Sequence, residues 1–480
     1  MSKKRTNSKS DLKKVLNRKQ SESKNVTEQI DMHPTEEEIT EKSPTNPDET
    51  LLSKPSDGTE ESSSAKKEVI PIREYRPLSE EMRNKAIEII KEKWPKMEGK
   101  QDLLFVLNVA LVILYGESAD KINMRTLNYY AYSTNNKKRY ITFQIPKKKK
   151  GEFRTIDAPC ASLKMIQRAL NFVFQLLHTP HQAAMGFVQH RSVVTNAQLH
   201  VGQKYVYNID LKNFFPSISS GRLFKRLQVA PFGLNKDLAS IVSDLCCYTN
   251  AEGKNVLPQG APTSPTITNF ICEHLDRKLA KLANAYGMKY SRYADDITFS
   301  CMNNMFAEDG KFCKSLRHII EEEEHLKINP DKTRLSHIGE RQEVTGLTVN
   351  ERPNVTKAYT KQLRLILHIC EAKGLSEAQR FFEKHYTPKT LRANAGIPHV
   401  ENVIAGKLLY LKMVKGEGDT TFNSLLNRWQ KIEKAMQNTK ESQESHYKKT
   451  IVTDMDNNPA DSSLVQELNG VLDTIIQSYG

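Results

Sequence analysis

The stretch Tyr-Asn-Ile-Asp-Leu-Lys-Asn-Phe-Phe at residues 207–215 and the stretch Arg-Tyr-Ala-Asp-Asp-Ile-Thr-Phe at residues 292–299 decide the fold of this chain. The first stretch carries Asp210, and the second carries the adjacent pair Asp295 and Asp296. The two stretches are far apart in the chain. Only a folded domain can therefore bring the three carboxylates together.

The local patterns predict how the carboxylates meet. Tyr205, Tyr207 and Ile209 alternate with Val206, Asn208 and Asp210, which is the period of a strand that buries one face and offers the other. Residues 288–301 hold two short β-prone stretches on either side of the aspartate pair, which predicts a hairpin. Adjacent side chains of a straight strand face opposite ways, but at a turn they need not.

Three carboxylates in this arrangement indicate a two-metal polymerase site. Joining a nucleotide to a strand develops charge on the attacking and leaving oxygens, and two divalent ions about 4 Å apart stabilise both. Mg²⁺ suits this task because it takes hard oxygen ligands and shares its shell with substrate phosphates. We therefore predict two Mg²⁺ ions, with Asp210 and Asp295 as ligands of both and Asp296 as a third ligand. The alternative is that the aspartate pair is ordinary turn chemistry.

The segment between the two acidic stretches reads Leu-Pro-Gln-Gly-Ala-Pro-Thr-Ser-Pro at residues 257–265 and precedes apolar residues at helical spacing. Ser264 is predicted as the N-cap of a helix and Pro265 as its first residue. Gly260 would allow the backbone to approach a substrate closely, and Gln259 would hydrogen-bond it.

In this order, the three motifs resemble the palm of reverse transcriptases. The resemblance implies an α+β, right-hand polymerase of fingers, palm and thumb. It also implies that Asp210, Asp295 and Asp296 carry the metals, and that Gln259 and Gly260 line the pocket for the incoming nucleotide.

Further motifs resemble the bacterial retron reverse transcriptases. Residues 195–202 resemble the Asn-Ala-x-x-His element of that family, residues 344–350 its Val-Thr-Gly element, and residues 326–333 its Asn-Pro-x-Lys-Thr segment. The residues that carry the first two elements are Asn196, Ala197, His200, Val344, Thr345 and Gly346. The resemblance runs from about residue 75 to about residue 430.

Four residues have two interpretations each. Phe215 is either the aromatic gate that excludes a ribose 2′-OH or a core aromatic. Lys332 is either the acid that protonates the leaving pyrophosphate or a solvated lysine. Arg154 lies in a predicted hairpin of residues 140–156 and is either a ligand of the triphosphate or a surface cation. For His200, the family element favours a structural or RNA-contacting role over chemistry.

The resemblance divides the chain into fingers and palm at residues 75–350 and a helical, RNA-binding thumb at 351–437, with helices near 357–373, 399–415 and 421–437. Residues 1–74 are rich in Lys, Glu, Ser, Thr and Pro and are predicted to be disordered. Residues 438–480 are predicted to be a polar linker and an amphipathic helix. That helix, at 461–480, would pack on its own thumb or bind an effector protein or a second copy.

Composition agrees with a nucleic-acid partner. The formal net charge is +14, as expected of a protein that binds a phosphate backbone. Seven cysteines without metal-ligand spacing indicate reduced thiols in the cytoplasm and no zinc site. No secretory signal is expected, and residues 103–115 are too short to span a bilayer, so they are predicted to form a core helix.

The resemblance also implies partners and a product. They are a cognate structured non-coding RNA, dNTPs and an RNA–DNA hybrid, with DNA started from the 2′-OH of a guanosine and released as branched multicopy single-stranded DNA. The usual setting of the family is antiphage defence. Two alternatives are another bacterial reverse transcriptase, such as an untemplated or group II-like enzyme, and an RNA-binding scaffold whose catalysis is dispensable.

Overall fold

The computed structural model describes residues 78–132, 139–147, 151–385 and 397–457, with side chains as far as residue 438. The predicted disordered tail at 1–74 and the predicted amphipathic helix at 461–480 lie outside the described residues. None of the helices in the described ranges is both long and apolar enough to cross a membrane.

Helices and a two-stranded ribbon form the first part of the described chain. They are α1 (Glu80–Lys93), a 3₁₀ turn (Trp94–Lys96), α2 (Lys100–Tyr115), α3 (Met124–Tyr132), β1 (Tyr140–Pro146), β2 (Phe153–Pro159) and α4 (Ala161–Leu177). The predicted core helix is confirmed, since α2 buries Leu103, Val106 and Leu107. The predicted hairpin is also confirmed, because β1 and β2 pair antiparallel with Ile145 opposite Arg154.

The chain continues through helices and short strands, among them the first acidic strand. They are α5 (Val193–Gln198), β3 (Tyr205–Leu211), α6 (Ser220–Leu227), α7 (Lys236–Cys246), β4 (Tyr248–Thr249), β5 (Asn255–Val256), α8 (Ser264–Ile271) and α9 (Glu273–Ala285). The predicted N-cap of α8 was wrong by one residue, because Thr263 holds that position. The hydroxyl of Ser264 donates instead to the carbonyl of Pro258 at 2.8 Å. This hydrogen bond therefore holds the preceding loop, which contains Pro258, against the start of α8.

The remaining palm elements are β6 (Lys289–Tyr293), β7 (Asp296–Cys301), α10 (Lys311–Arg317), a π-helical turn (His318–Glu323) and β8 (Ile328–His337). The strands form an antiparallel sheet in the order β6-β7-β3-β8. This sheet confirms the strand predicted around residue 210 and the hairpin predicted within residues 288–301. Apolar side chains of α9 and α10, such as Leu279 and Phe312, pack in one core with Phe299 of β7.

A small hairpin and three helices complete the described chain. They are β9 (Glu343–Val344), β10 (Leu347–Thr348), α11 (Lys357–His385), α12 (Val400–Lys415) and α13 (Thr420–Asn457). The three predicted helical stretches are confirmed, although α11 continues past 373 through a kink at Gly374, where φ is 80°. The three helices share a core that includes Leu367, Leu408 and Trp429.

The polar linker predicted to begin at residue 438 is wrong as far as Asn457, because α13 runs through that stretch. Residues 420–457 contain neither Gly nor Pro. Many of the polar residues there are Lys, Gln and Glu, which are strong helix formers. A polar composition alone therefore does not distinguish a linker from a helix.

Candidate active site

The three acidic residues meet at one end of the four-stranded sheet. Asp210 is the penultimate residue of β3, and its register partner is Asp296, the first residue of β7. Asp295 lies in the turn just before β7, and its carbonyl accepts a hydrogen bond from the amide of Leu211 at 3.1 Å. Backbone pairing thus holds the aspartate turn against the end of β3.

The turn that carries the aspartate pair is a tight one. Tyr293 pairs with Asp296, so only Ala294 and Asp295 connect the strands. Ala294 has a φ of 57°, a left-handed conformation that the two-residue hairpin turns require at their first central position. Such a φ is uncommon for a residue other than glycine. It lets two successive aspartates leave the regular alternation of a strand.

Two side chains of β8 hold the carboxylate of Asp210. Lys332 Nζ lies 2.9 Å from Oδ1 and 3.0 Å from Oδ2, and Asn329 Nδ2 donates to Oδ2 at 2.9 Å. The register between β3 and β8 shifts between Asn208 and Asp210, which marks a bulge beside the acidic residue. Lys332 is therefore not merely solvated, although 57% of its side chain is exposed.

Asn329 was not among the residues predicted for the site. It lies within the Asn-Pro-x-Lys-Thr segment. An asparagine before proline is common in turns. The sequence therefore suggested a turn residue and not a side chain that donates a hydrogen bond to Asp210.

The site concentrates negative charge in a partly desolvated place. Burial, followed by the charges of Asp295 and Asp210, raises the pKa of Asp296 to about 6. Burial and the charge of Asp210 also raise the pKa of Asp295, while Lys332 and Arg154 act in the opposite direction. A cation that shares these carboxylates would relieve this repulsion. Within the described ranges, however, no three His, Cys, Asp or Glu side chains are grouped closely enough to hold a metal ion as they stand.

The Gln259-Gly260 segment lies against strand β2. The carbonyl of Gln259 accepts a hydrogen bond from the amide of Asp157 at 2.8 Å. Gly260 has a φ of 138°, and a Cβ placed there would lie 2.8 Å from Cγ2 of Ile156 and 2.9 Å from the carbonyl oxygen of Asp157. The close approach that Gly260 makes in this structure is thus to β2, whereas the sequence suggested an approach to substrate.

The predicted nucleotide-binding side chains differ in exposure. Arg154 lies on the exposed side of β2, within electrostatic reach of Asp295. Phe215 is half-buried against the core of the first helices, with its ring centroid 5.7 Å from that of Phe214. Its partial exposure agrees with either interpretation.

His200 contacts the strands of the aspartate hairpin and not its carboxylates. Its imidazole is fully buried, with Nδ1 2.7 Å from Oγ of Ser300 on β7 and Nε2 2.8 Å from Oγ of Ser291 on β6. Burial, with a smaller contribution from the charge of Lys289, lowers the pKa of His200 to about 3. A neutral imidazole therefore joins the two strands, and in this position it cannot contact RNA.

The Asn-Ala-x-x-His and Val-Thr-Gly elements contact each other. Asn196 Nδ2 donates to Oγ1 of Thr345 at 3.4 Å. Thr345 and Gly346 form the two-residue turn between β9 and β10, with φ angles of 46° and 84°. Ala197 and Val344 are fully buried in the core that also contains the C-terminal helices. The two elements thus form one packed unit behind the sheet.

Comparisons with known proteins agree with this geometry. Residues 145–365 match the family model described as reverse transcriptase (RNA-dependent DNA polymerase). Over 259 residues the chain is 38% identical to the retron Mx162 reverse transcriptase of Myxococcus xanthus, covering 48% of this chain and 52% of that one. It is 34% identical to the retron Ec86 reverse transcriptase of Escherichia coli, covering 52% of this chain and 75% of that one. The chain thus spans about half the length of the first relative and three quarters of the second.

Among solved structures, the chain is similar to the telomerase of Candida albicans, with a TM-score of 0.32 and 12% identity over 61% of this chain and 63% of that one. This likeness is too weak to support a conclusion.

Proposed function

Because this chain belongs to the bacterial retron reverse transcriptases, we propose that it is an RNA-directed DNA polymerase that copies part of a cognate structured non-coding RNA into branched multicopy single-stranded DNA. The observation that carries the proposal is the convergence of Asp210, Asp295 and Asp296 at one end of the palm sheet. Carboxylates brought together from separate strands are what metal-assisted nucleotidyl transfer requires.

The three aspartates are the proposed ligands of two Mg²⁺ ions. When bound, these ions would stabilise the charge that develops on the attacking and leaving oxygens. The fit is supported by the contact between the ammonium of Lys332 and both oxygens of Asp210, because a carboxylate that pairs with one cation also suits another. A metal ion on Asp210 would compete with the ammonium of Lys332 for this carboxylate, and we propose that the lysine turns away when the ion binds. Its long and exposed side chain permits this movement.

The nucleotide would enter between the palm and the β1–β2 hairpin. Arg154 is the proposed ligand of the triphosphate, because a guanidinium pairs with phosphate oxygens bidentately. Gln259 and Gly260 line the pocket, and Phe215 excludes a ribose 2′-OH. Lys332, once released from Asp210, is the proposed donor of a proton to the leaving pyrophosphate.

The RNA partner would bind the fingers and palm at 75–350 and the helical thumb at 351–437. The net charge of +14 supports binding to a phosphate backbone. DNA synthesis would begin at the 2′-OH of a guanosine in that RNA and leave an RNA–DNA hybrid on the enzyme. We place this activity in the cytoplasm and in antiphage defence.

The segment 461–480 is the proposed contact with an effector protein. Deleting it should abolish that complex and leave DNA synthesis intact. Loss of synthesis together with the complex would instead favour packing of the segment on its own thumb.

The test of the polymerase is a denaturing gel of nucleic acid from cells that carry the gene with its flanking non-coding DNA. The wild type is compared with Asp295→Asn and with Asp237→Asn, a matched control at an exposed aspartate in the first turn of α7. We expect a discrete single-stranded DNA that shifts on debranching, requires Asp295 and is unaffected by the control. DNA of undefined sequence would favour an untemplated enzyme. Biological function that survives Asp295→Asn would favour an RNA scaffold.

A further inference from the structure

A buried ion pair lies beneath the turn that carries the aspartate pair. Arg292 of β6 and Asp276 of α9 are both completely buried. Arg292 Nε donates to Oδ1 of Asp276 and Nη2 donates to Oδ2, each at 2.7 Å. The hydroxyl of Tyr290 also donates to Oδ1 at 2.7 Å. The guanidinium is therefore fixed by a bidentate contact on a rigid helix.

The same guanidinium reaches the catalytic turn. Arg292 Nη1 donates to the carbonyl oxygen of Ala294 at 3.1 Å. Ala294 is the residue with the left-handed backbone, and Asp295 and Asp296 follow it. The hydrogen bond thus holds the peptide group that leads into the two aspartates.

The segment around Gly186 also packs against the turn. A Cβ on Gly186 would lie 2.9 Å from the amide nitrogen of Ala294, so the two backbones are in direct contact. Asn269 Nδ2 donates to the carbonyl oxygen of Gly186 at 2.9 Å. The backbone of Arg292 exchanges hydrogen bonds with Ala183 and Met185 of the same segment, at 2.8 and 2.7 Å.

We propose that Arg292 is a positioning residue, which acts through the carbonyl of Ala294 to fix the direction of the Asp295 and Asp296 carboxylates. This inference rests on the proposed function, because it assigns a role in the same site. Asp276 anchors the guanidinium, and the backbone at Gly186 packs against the amide of Ala294.

The alternative is that the pair only stabilises the fold. A buried ion pair is weak support for that view, because desolvating two charges offsets most of their attraction. An apolar pair of similar volume would fill the same space. Only a planar group with several donors can bind a carboxylate bidentately and still donate to the Ala294 carbonyl. The geometry therefore favours a role in positioning.

The test is Arg292→Lys in the full chain. Lysine keeps the positive charge against Asp276, but its single ammonium cannot also maintain the contact with Ala294. We expect kcat for primer extension to fall about tenfold to a hundredfold, since a small displacement of reacting groups has effects of that size. The KM for dNTP and the affinity for primer–template should change by less than about threefold.

A second measurement does not depend on activity. Binding of Mn²⁺ to the protein without nucleotide is followed by loss of the EPR signal of free Mn²⁺. We expect Arg292→Lys to weaken this binding by about tenfold, an effect in the range reported for groups that orient metal ligands.

Arg226→Lys is the matched control. Arg226 is a largely buried arginine that pairs with Glu273 at 3.1 Å and donates to the carbonyls of Ala230 and Phe270, but it has no contact with the turn. We expect this variant to lose similar stability and keep the kcat and Mn²⁺ affinity of the wild type. Equal losses in both variants would overturn the positioning role, as would an unchanged kcat and Mn²⁺ affinity in Arg292→Lys.

If Arg292→Lys does not fold, Gly186→Ala decides the matter. It presses on the amide of Ala294 without removing a charge. A lower kcat and weaker Mn²⁺ binding would support the inference, and wild-type values for both would overturn it. Wild-type protein that binds Mn²⁺ but extends no primer would contradict the proposed function. The Mn²⁺ titrations of the variants would still test Arg292.

Discussion

Lys332 Nζ lies 2.9 Å from Oδ1 and 3.0 Å from Oδ2 of Asp210, so a single ammonium bridges both oxygens of the carboxylate. A divalent cation on Asp210 would compete with this contact. Lys332 has two proposed roles with opposite effects. As a competitor of the metal ion for Asp210 it would weaken metal binding, and as a proton donor it would raise kcat. Metal binding and catalysis can therefore be separated by one substitution.

The first prediction concerns Lys332→Ala. Removing the ammonium should strengthen Mn²⁺ binding about threefold to tenfold, because an opposing cation is lost. It should also lower kcat by about a hundredfold if Lys332 is the acid. Mn²⁺ titration and single-turnover extension measure the two effects. Lys327→Ala, at an exposed lysine in the segment before β8, is the control. Unchanged Mn²⁺ affinity in Lys332→Ala would contradict the competition.

The second prediction concerns Phe215→Ala. If Phe215 is the gate, discrimination against rNTPs should fall about tenfold to a hundredfold, because the clash with the 2′-OH is removed. The ratio of kcat/KM for dNTP and rNTP measures this. Phe224→Ala is the matched control, since both rings are partly buried against the same core. A loss of stability in both variants without a change in discrimination would identify Phe215 as a core aromatic.

The third prediction concerns Gly260→Ala. The new methyl group would lie 2.8 Å from Cγ2 of Ile156, so the Gln259-Gly260 loop must move away from β2. Gly253→Ala is the control, because Gly253 also has a positive φ, 75°, but open space around it. We expect the unfolding free energy of Gly260→Ala to fall by about 1–3 kcal/mol more than that of the control. Urea unfolding measures both free energies. Equal losses in the two variants would show that the positive φ, and not the contact with β2, causes the destabilisation.

The fourth prediction concerns pH and His200. The pKa of His200 is about 3 in the folded protein, against an ordinary value of 6.5. Between these values the unfolded chain binds a proton that the folded protein does not, so stability falls as pH falls through this window. Relative to His200→Gln, the wild type should lose up to about 1.4 kcal/mol of stability per pH unit below pH 6.5.

Glutamine is the informative replacement for His200 because it keeps one donor and one acceptor for Ser291 and Ser300. Urea midpoints at several pH values between 7.5 and 5 measure the difference, and the effects of other titrating groups cancel in it. Parallel curves for the wild type and the variant would show that His200 is not held neutral.

Three of the four strands of the palm sheet were predictable because their signals are local, whereas β8 was not predicted as a strand. The alternation around Asp210 and the β-prone stretches beside Ala294 each indicate a strand without reference to the rest of the chain. The end of α13 was not predictable in this way. A helix of polar, strongly helix-forming residues and a polar linker have the same composition, and only the absence of Gly and Pro distinguishes them.

The surroundings of the site were harder to predict than its acidic residues. Asp276 lies in an ordinary amphipathic helix, and the chain has 57 acidic residues, so the sequence does not reveal that this one pairs with Arg292. The burial of His200 was equally hidden, because its partners Ser291 and Ser300 are common residues far along the chain. Such contacts depend on the packing of whole elements.

Strand β8 forms one edge of the four-stranded sheet. A free strand edge invites pairing with a strand of another molecule and hence aggregation. Pro330 lacks a backbone donor, and the charged side chains of Asp331, Lys332 and Arg334 are exposed along this edge. These are features that discourage intermolecular pairing. The strand that supplies Asn329 and Lys332 to Asp210 thus also carries residues that disfavour pairing with a strand of another molecule.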